Sequence, residues 1–354
     1  MLCARLWLAA VFRVLVTDYA WPSLDIEREI LSRVDAELVV ARSGDEAELI
    51  ELASGVDAIL TNWKRLPEAA LRAAERCVVI ARYGVGVDNI PVAVATELGI
   101  VVANVPDFCV NEVADHTMSL LLACARRLIP FTGETRSGVW SLNDAPGLPR
   151  LRDQTVGLVG FGRIAQALVP RARGFGLRVL AHSRRFAADA EARERVGEVE
   201  IASSLDDLLS AADYVSLHLP ATPETTGLIG ADQLARMKPS AYLINTSRGA
   251  LIDEAALADA LRSRGIAGAA LDVLSREPPP PEEPLLGTPN LIVTPHAAFY
   301  SDASIHEVQT RAARNVATVL SGAVPEHVVN PEVLASRRPP DGRGTPSWTA
   351  PRNG

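Results

Sequence analysis

Short apolar runs alternate with helix-like segments over the first hundred residues. Each run holds four or five residues, mostly Val, Ile, Leu and Ala, and segments such as Leu24–Val34 and Pro67–Ala74 separate them. This alternation predicts parallel strands joined by helices. The predicted strands are Val14–Thr17, Ala36–Val40, Ala58–Thr61, Val78–Arg82 and Val101–Asn104.

A long apolar segment, NEVADHTMSLLLACARRL, begins at Asn111 and predicts a buried helix with Asn111 as its cap. After a polar loop around 143–150 a second alternation begins, and a final helix is predicted over Asp302–Leu320. The chain therefore predicts two doubly wound α/β units. The strands of the second unit are predicted at Thr155–Val159, Arg178–His182, Tyr214–Leu217, Tyr242–Asn245, Gly268–Asp272 and Leu291–Thr294.

The two ends of the chain have a different character. Residues 1–12 contain the apolar run Leu6–Phe12, but Arg13 interrupts it and a strand follows, so we expect a short extension and no secretory signal. Residues 335–354 are rich in proline, glycine and charge, which predicts a disordered tail.

Composition narrows the classes of partner. The chain has 354 residues and a net charge of −8, which argues against nucleic acid and membrane surfaces as partners. Its four cysteines show no Cys-x-x-Cys spacing, so we expect reduced thiols, no metal site and a cytoplasmic protein. No run reaches the roughly 18 apolar residues that a membrane span needs.

A glycine-rich turn opens the second unit. In VGLVGFGRIA, an apolar strand precedes Gly160, Gly162 follows, and a helix begins near Arg163. Glycines let backbone N–H groups approach a pyrophosphate, and alanine, here Ala165, is accepted at the third position. In this strand–turn–helix context the pattern predicts a dinucleotide cofactor.

The residues at the end of the next strand help to distinguish NAD(H) from NADP(H). An NAD-binding chain has an acidic residue there for the ribose hydroxyls, whereas this chain reads Ser183-Arg184-Arg185. Serine does not repel a 2′-phosphate and arginine pairs with one, which favours NADP(H). NAD(H) stays open as the alternative, because the basic turn is also explained by solvation alone.

Three motifs place chemistry at predicted strand ends, where open α/β sheets bind ligands. They are INTSRGALID with Arg248, LDVLSREPPPP with Asp272 and Glu277, and VTPHAAFY with His296. Arginine grips a carboxylate, histidine delivers a proton, and a neighbouring glutamate favours the imidazolium, so the set suits reduction of a keto acid. Each residue alone is equally explained as structural or solvated. No comparable set of motifs accompanies the other histidines in the sequence, which are His116, His182, His218, His306 and His327.

With the further motifs YGVGVDNI, VPDFCVNEVADHTMSLLLA, SLHLPATPETTGLIG and MKPSAYLINTSRGALIDEAAL, the chain resembles the D-isomer-specific 2-hydroxyacid dehydrogenases from about Val14 to Val333. That family includes glyoxylate and hydroxypyruvate reductases, D-lactate and phosphoglycerate dehydrogenases, and C-terminal-binding-protein corepressors. The motifs look closest to the corepressor-like and glyoxylate/hydroxypyruvate reductase branches.

The resemblance implies that a Rossmann cofactor domain is inserted into a flavodoxin-like substrate domain. The cofactor domain is then 107–296, and the substrate domain is 13–106 with 297–334. The family holds its substrate between the two domains and forms homodimers through the cofactor domain, so a homodimer is expected.

The resemblance also implies roles for single residues. Arg248 would bind the substrate's carboxylate and carbonyl, His296 would be the general acid and base, and Glu277 would orient His296. Gly84, Val85 and Gly86 would meet the substrate carboxylate. The expected cofactor residues are Thr117, Gly160, Phe161, Gly162, Arg163, Ile164, Ser183, Arg184, Leu219, Pro220, Thr225, Thr246 and Asp272, of which Asp272 would hold the nicotinamide carboxamide.

The leading hypothesis is an NADP(H)-preferring reductase of a small 2-keto acid such as glyoxylate or hydroxypyruvate, yielding a D-2-hydroxy acid. A nucleotide-sensing, corepressor-like binding protein with weak turnover is the alternative, and oxidation of formate or phosphite is a third reading. Lys64 and Arg65 either favour an anionic substrate tail or are simply solvated.

Overall fold

The computed structural model describes residues 11–142, 147–188 and 199–339. The chain forms two compact units. The second unit is Cys109–Tyr300, and the residues on either side of it make up the first, so the second is an insertion within the first.

The first unit contains a parallel sheet of five strands in the order β2-β1-β3-β4-β5. This is the order of flavodoxin-like sheets. The strands are β1 (Phe12–Val16), β2 (Ala36–Val40), β3 (Ala58–Thr61), β4 (Val79–Arg82) and β5 (Val101–Ala103). The helices are α1 (Asp25–Ser32), α2 (Glu46–Ala53), α3 (Glu68–Ala73), α4 (Val92–Glu97) and, after the second unit, α12 (Asp302–Leu320).

The central strands of this sheet are buried on both faces. All four residues of β3 are buried, and α12 packs against β3, β4 and α1. Helices on both faces leave no solvated face, which is why the strands are continuous apolar runs and not alternating ones. The polar residues that follow the strands then lie at one edge of the sheet.

The second unit contains a parallel sheet of seven strands in the order β12-β11-β10-β9-β6-β7-β8. The strands are β6 (Thr155–Val159), β7 (Arg178–His182), β8 (Glu200–Ile201), β9 (Tyr214–Leu217), β10 (Tyr242–Asn245), β11 (Gly268–Leu271) and β12 (Leu291–Val293). The helices are α5 (Val110–Ala125), α6 (Leu128–Arg136), α7 (Arg163–Gly174), α8 (Arg184–Ala188), α9 (Leu205–Ala211), α10 (Ala231–Arg236) and α11 (Glu254–Arg262).

This order is the Rossmann order with one further strand, and it reverses between β6 and β9. The predicted fold class, two doubly wound parallel sheets, is confirmed. The point of reversal places the end of β6, and so the glycine turn, at the position where such sheets bind ligands.

Two elements of the second unit differ from the prediction. The helix predicted from Asn111 begins at Val110 and ends at Ala125; Asn111 lies in its first turn, where its Oδ1 accepts from Arg171 and caps nothing. Arg127 then adopts a left-handed conformation (φ 49°), which breaks the apolar segment into α5 and α6. The strand β8 was missed because two residues carry no readable periodicity.

The predicted ends also need correction. Phe12, assigned to the extension, already belongs to β1. Ala335, assigned to the tail, ends a 3₁₀ helix, and the Arg338 guanidinium donates to the carbonyls of Ala74, Glu75 and Cys77. These bonds order the chain to 339. The rest of the predicted extension and tail, and part of the predicted loop at 143–150, lie outside the described residues.

Two smaller findings concern membrane-spanning helices and cysteines. Across the described ranges, no helix has both the length and the apolar character that crossing a membrane requires. Cys77, Cys109 and Cys124 are buried free thiols.

Candidate active site

The glycine turn follows β6 directly. Gly160 donates its N–H to the His182 carbonyl at 2.8 Å and has a φ of 93°. A Cβ on Gly160 would lie 2.4 Å from the carbonyl oxygen of His218, closer than any real contact. Both the conformation and the space therefore require glycine here.

Gly162 has the opposite surroundings. A Cβ built on it meets nothing within 4 Å, and it begins α7 with no side chain capping the helix. The first backbone N–H groups of an α-helix have no partner within the helix, so a helix start of this kind suits a phosphate. Ala165 is fully buried, as close packing of helix on strand demands. The turn fits a dinucleotide pyrophosphate.

The loop after β9 faces the turn across the sheet reversal. Leu219 lies against Gly160, and Thr225 fixes the loop by donating to the Pro220 carbonyl at 2.7 Å while accepting from the Thr222 N–H. His218 Nδ1 is buried with no hydrogen-bond partner among the described residues. Burial lowers the pKa of His218 to about 4, so the ring is neutral near pH 7.

Thr117 and Thr246 come together, although 129 positions separate them in the chain. Their hydroxyl oxygens lie 2.8 Å apart, and Thr117 also donates to the Val113 carbonyl at 2.7 Å. A hydroxyl has one proton, so Thr246 donates to Thr117. Thr117 is fully buried, and its observed contacts hold Thr246 in place.

The basic turn after β7 is exposed. Ser183 precedes α8, and the side chains of Arg184 and Arg185 lie open to solvent. The hydroxyl of Thr222, followed by backbone hydrogen bonding and the charge of Arg184, lowers the pKa of the Glu224 carboxyl. Arg184 therefore lies within electrostatic reach of Glu224. The aromatic rings of Phe161 and Phe186 pack 5.4 Å apart beneath this turn.

The predicted catalytic histidine and glutamate are in direct contact. His296 Nδ1 lies 2.6 Å from Glu277 Oε2, and Glu277 Oε1 accepts from the Leu274 N–H at 2.9 Å. Burial raises the pKa of Glu277, but the hydrogen bond and charge of His296, with smaller contributions from Leu274 and Arg248, outweigh it and hold the pKa below its ordinary value. Glu277 is therefore a carboxylate at neutral pH.

Arg248 follows β10 in a tightly bonded stretch. Asn245 accepts from the Ser247 N–H and donates to the Arg248 carbonyl at 2.8 Å. Ser247 Oγ donates to the Leu217 carbonyl on the neighbouring strand at 2.7 Å, so serine is well suited to this position. The charge of Arg248 reaches Glu277. The structure thus brings Arg248, Glu277 and His296 into one electrostatic neighbourhood.

Asp272 has a different observed environment from the one expected. Its carboxylate is almost fully buried: Oδ1 accepts from Thr294 Oγ1 at 2.5 Å and from the Ala297 N–H at 2.9 Å, and Oδ2 accepts from the Ala298 N–H. These bonds hold the turn that contains His296. Sequence analysis did not predict this contact, because it depends on a loop 25 residues away.

The loop of the first unit expected to bind the substrate carboxylate follows β4. Gly84 has a φ of 143°, and a Cβ on it would overlap the guanidinium of Arg82, which donates to the Tyr83 carbonyl at 2.7 Å. Asn104 donates to the Val85 carbonyl and fixes the loop from the next strand. Sequence analysis missed Arg82; the signal for it was an arginine at the end of a strand, two residues before a glycine.

The alternatives for Lys64 and Arg65 also have a structural context. Both side chains are exposed. Lys64 packs over Gly44, and its charge reaches Asp45, so its ammonium already has an acidic neighbour.

Residues 118–298, just over half of the chain, match the family profile described as "D-isomer specific 2-hydroxyacid dehydrogenase, NAD binding domain". The chain belongs to the D-isomer specific 2-hydroxyacid dehydrogenase family. It is 38% identical over 331 residues to a glyoxylate reductase of Korarchaeum cryptofilum, covering 90% of this chain and 98% of the relative. It is also 38% identical to a D-3-phosphoglycerate dehydrogenase of Methanocaldococcus jannaschii, of which it spans 59%.

Solved structures agree with the family. An NADPH-dependent glyoxylate/hydroxypyruvate reductase from Sinorhizobium meliloti, in complex with NADP and malonate, superposes with a TM-score of 0.79 at 33% identity and covers 91% of this chain and 97% of its own. A glyoxylate reductase from Paecilomyes thermophila gives a TM-score of 0.81 at 27% identity and covers 91% and 99%. These relatives confirm the predicted family and the predicted class, an NAD(P)-dependent oxidoreductase acting on 2-hydroxy acids.

Proposed function

We propose that this 2-hydroxyacid dehydrogenase reduces a small 2-keto acid of the glyoxylate or hydroxypyruvate type to its D-2-hydroxy acid, with NADP(H) favoured over NAD(H). The observation that carries the proposal is the 2.6 Å contact between His296 Nδ1 and Glu277 Oε2, beside the charge of Arg248. An imidazole oriented by a carboxylate, near an arginine, is the set that keto-acid reduction needs.

The roles of these residues follow from their bonds. Because Glu277 is ionised, it accepts, and His296 Nδ1 carries a proton in this contact. Nε2 of His296 is then the nitrogen that gives a proton to the substrate's carbonyl oxygen in reduction and takes it back in oxidation. Arg248 binds the substrate carboxylate and stabilises the developing charge on the carbonyl oxygen. The hydride at the substrate's C2 would be supplied, or accepted in the reverse direction, by a nicotinamide cofactor held in this unit.

We assign the cofactor to the domain at 107–296. The turn from Gly160 to Ile164 binds the pyrophosphate, and the loop with Leu219, Pro220 and Thr225 and the Thr246 hydroxyl line the same site. Asp272 contacts the nicotinamide carboxamide in this proposal in addition to holding the His296 turn. The substrate carboxylate meets Gly84, Val85 and Gly86, where the Arg82 guanidinium adds a positive charge.

Two observations support NADP(H). The turn after β7 offers Ser183, Arg184 and Arg185 with no acidic residue of its own, and the S. meliloti relative is described as NADPH-dependent. Arginine side chains in solvent can move onto a 2′-phosphate.

We also propose a homodimer formed through α6 and the residues after it. No residue of α6 is buried. The exposed apolar side chains cluster here: Leu128, Ile129, Val139, Leu142 and Trp140, which is 89% exposed. A patch of this kind is typical of a protein interface. The second copy is the occupant we propose, because the resemblance to the family implies a homodimer formed through the cofactor domain.

The test is the oxidation of NADPH and NADH by the purified protein with glyoxylate and with hydroxypyruvate. We expect turnover with NADPH at least about tenfold better in kcat/KM than with NADH. His296→Gln should lower kcat by about 10²-fold or more with little change in cofactor affinity, since it removes the general acid. Arg248→Gln should instead raise KM strongly as well as lower kcat.

Three results would count against parts of this proposal. Equal use of NADH would remove the cofactor preference and leave the reaction standing. Full activity of His296→Gln would remove the assigned acid. Tight binding of NADPH without turnover of any 2-keto acid would leave the corepressor-like alternative as the better reading, although the relatives reported above are described as reductases and dehydrogenases.

A further inference from the structure

A second histidine lies beside the turn that carries His296. His116 is on α5, and its Nε2 is 3.0 Å from Thr294 Oγ1 and 3.5 Å from Asp272 Oδ1. His116 has no accompanying motif in the sequence, since its partners lie more than 150 residues further along the chain. We infer that His116 is a positioning residue of the proposed reaction, which acts through Thr294 and Asp272 on the main chain around His296.

The direction of the hydrogen bonds follows from proton counting. Thr294 Oγ1 donates its only proton to the buried carboxylate of Asp272 at 2.5 Å. In its contact with His116 the same hydroxyl must therefore accept, so Nε2 of His116 carries a proton. The short distance from that nitrogen to Asp272 agrees, because an N–H is attracted to a carboxylate and a lone pair is repelled.

Asp272 connects these side-chain hydrogen bonds to the main chain at His296 and at the two residues that follow it. Its main-chain carbonyl accepts from the His296 N–H at 2.8 Å, and its carboxylate accepts from the N–H groups of Ala297 and Ala298. His296 itself has a φ of 52°, a left-handed conformation that residues with a Cβ adopt only when the surroundings hold it. The hydrogen bonds from the main chain to Asp272 hold His296 in this conformation.

The loss of His116 would therefore change the orientation of the His296 imidazole. Thr294 would lose its donor, and Asp272 would lose the positive end of a nearby dipole. The turn around His296 would then be less well fixed, and with it the contact to Glu277. Arg248 is held by other bonds, so binding of the substrate would change little. The kinetic part of this inference rests on the proposed function.

The kinetic test compares three substitutions. His116→Ala should lower kcat by about 5- to 20-fold with KM changed by less than about twofold, because misplaced catalytic groups affect the transition state more than binding. His116→Gln should recover most of the rate, since its amide nitrogen can donate where Nε2 does. Thr294→Val should be at least as slow as His116→Ala, since it also removes the bond to Asp272. The double variant should be no slower than Thr294→Val alone, because both substitutions interrupt the same chain of hydrogen bonds.

A matched control is His306→Ala, on the exposed side of α12, which should keep wild-type constants. The inference is overturned if His116→Ala keeps kcat within about twofold, if His116→Gln is as slow as His116→Ala, or if the two single losses multiply in the double variant. Should His116→Ala fail to fold, His116→Gln and Thr294→Val still decide between these outcomes.

A second readout does not depend on turnover. In nitrogen NMR of the histidine rings, His116 should show a protonated Nε2 that Thr294→Val alters, and the ring signals of His296 should shift in His116→Ala and in Thr294→Val. Unchanged His296 signals in both variants overturn the inference. Shifted signals in a protein that reduces no 2-keto acid would support the positioning contact and reject the proposed function, so the two failures are distinguishable.

Discussion

Gly160 and Gly162 are separated by one residue, yet each is glycine for its own reason. Gly160 has a left-handed φ and no space for a Cβ against His218, whereas Gly162 borders open space at the start of α7. The first is required by folding, and the second leaves open the space in which we propose the pyrophosphate binds. At the scale of residues, the turn thus offers a matched pair of substitutions.

We expect Gly160→Ala to lose stability, because its methyl group would collide with the backbone of His218. Gly162→Ala should keep the wild-type Tm and weaken NADPH binding by about tenfold or more, because its methyl group would point into the space proposed for the pyrophosphate. Thermal melts and fluorescence titration with NADPH measure the two effects. Wild-type NADPH affinity in Gly162→Ala would contradict the assigned cofactor turn.

The sequence predicted where the candidate residues lie relative to the strands better than it predicted their contacts. Arg248, Glu277 and His296 each follow a strand that the apolar pattern located, and parallel strands bring their ends to one edge. His116 and Arg82 were missed: His116 reaches its partners across the fold, and Arg82 is notable only because its side chain fills the space beside Gly84. Such contacts depend on side-chain direction, which spacing in the sequence does not report.

At the scale of elements, the positions of the strands were predicted better than the ends of the helices. Strands of four or five buried residues were located almost to the residue, because burial on both faces gives continuous apolar runs. The break between α5 and α6 was not predicted, because the apolar pattern continues through it while Arg127 turns left-handed. The end of a helix depends on the backbone conformation of one residue, and the periodicity of apolar residues does not report this conformation.

The turn before α2 gives a prediction about pH. The Glu48 carboxylate accepts from the N–H groups of Arg42, Ser43 and Gly44 and from Ser43 Oγ. These bonds, led by that from Arg42, lower its pKa to about 2. A lowered carboxyl pKa stabilises the fold above the ordinary value of 4.5, and this contribution is lost as pH falls toward 2.

Glu48→Gln should therefore lower the Tm clearly at about pH 6, and the difference from wild type should shrink steadily as the pH is lowered below about 4. Scanning calorimetry across this range measures it. Glu46→Gln in the same first turn of the helix is the matched control, since the four hydrogen bonds described above are accepted by Glu48. A gap that stays constant with pH would show that the hydrogen bonds of Glu48 do not depend on its charge.

At the scale of the whole molecule, the proposed dimer gives a test through α6. Trp140→Glu should shift the protein from dimer to monomer in light scattering after size exclusion, because it buries a charge in the proposed interface. Phe175→Glu, at another half-exposed apolar position of the same unit, is the control and should leave the mass unchanged. A wild-type monomer, or a Trp140→Glu variant that stays dimeric, would reject this surface.

The sequence predicted two parallel sheets but did not predict the order of the strands within each sheet. The flavodoxin-like order of the first unit and the Rossmann order of the second both agree with the family. The family profile reaches only from 118 to 298, so the first unit rests on its own topology and on the relatives that cover about nine-tenths of the chain. Fold and oxidoreductase class are thereby shown, and the substrate is the part that experiment must supply.

The most direct test of the central claim is the product formed from hydroxypyruvate and NADPH. The account predicts consumption of NADPH in equal amount to D-glycerate formed, resolved from its mirror image on a chiral column, and no product with His296→Gln. L-Glycerate as the main product, or no glycerate from a protein that binds NADPH, would contradict it.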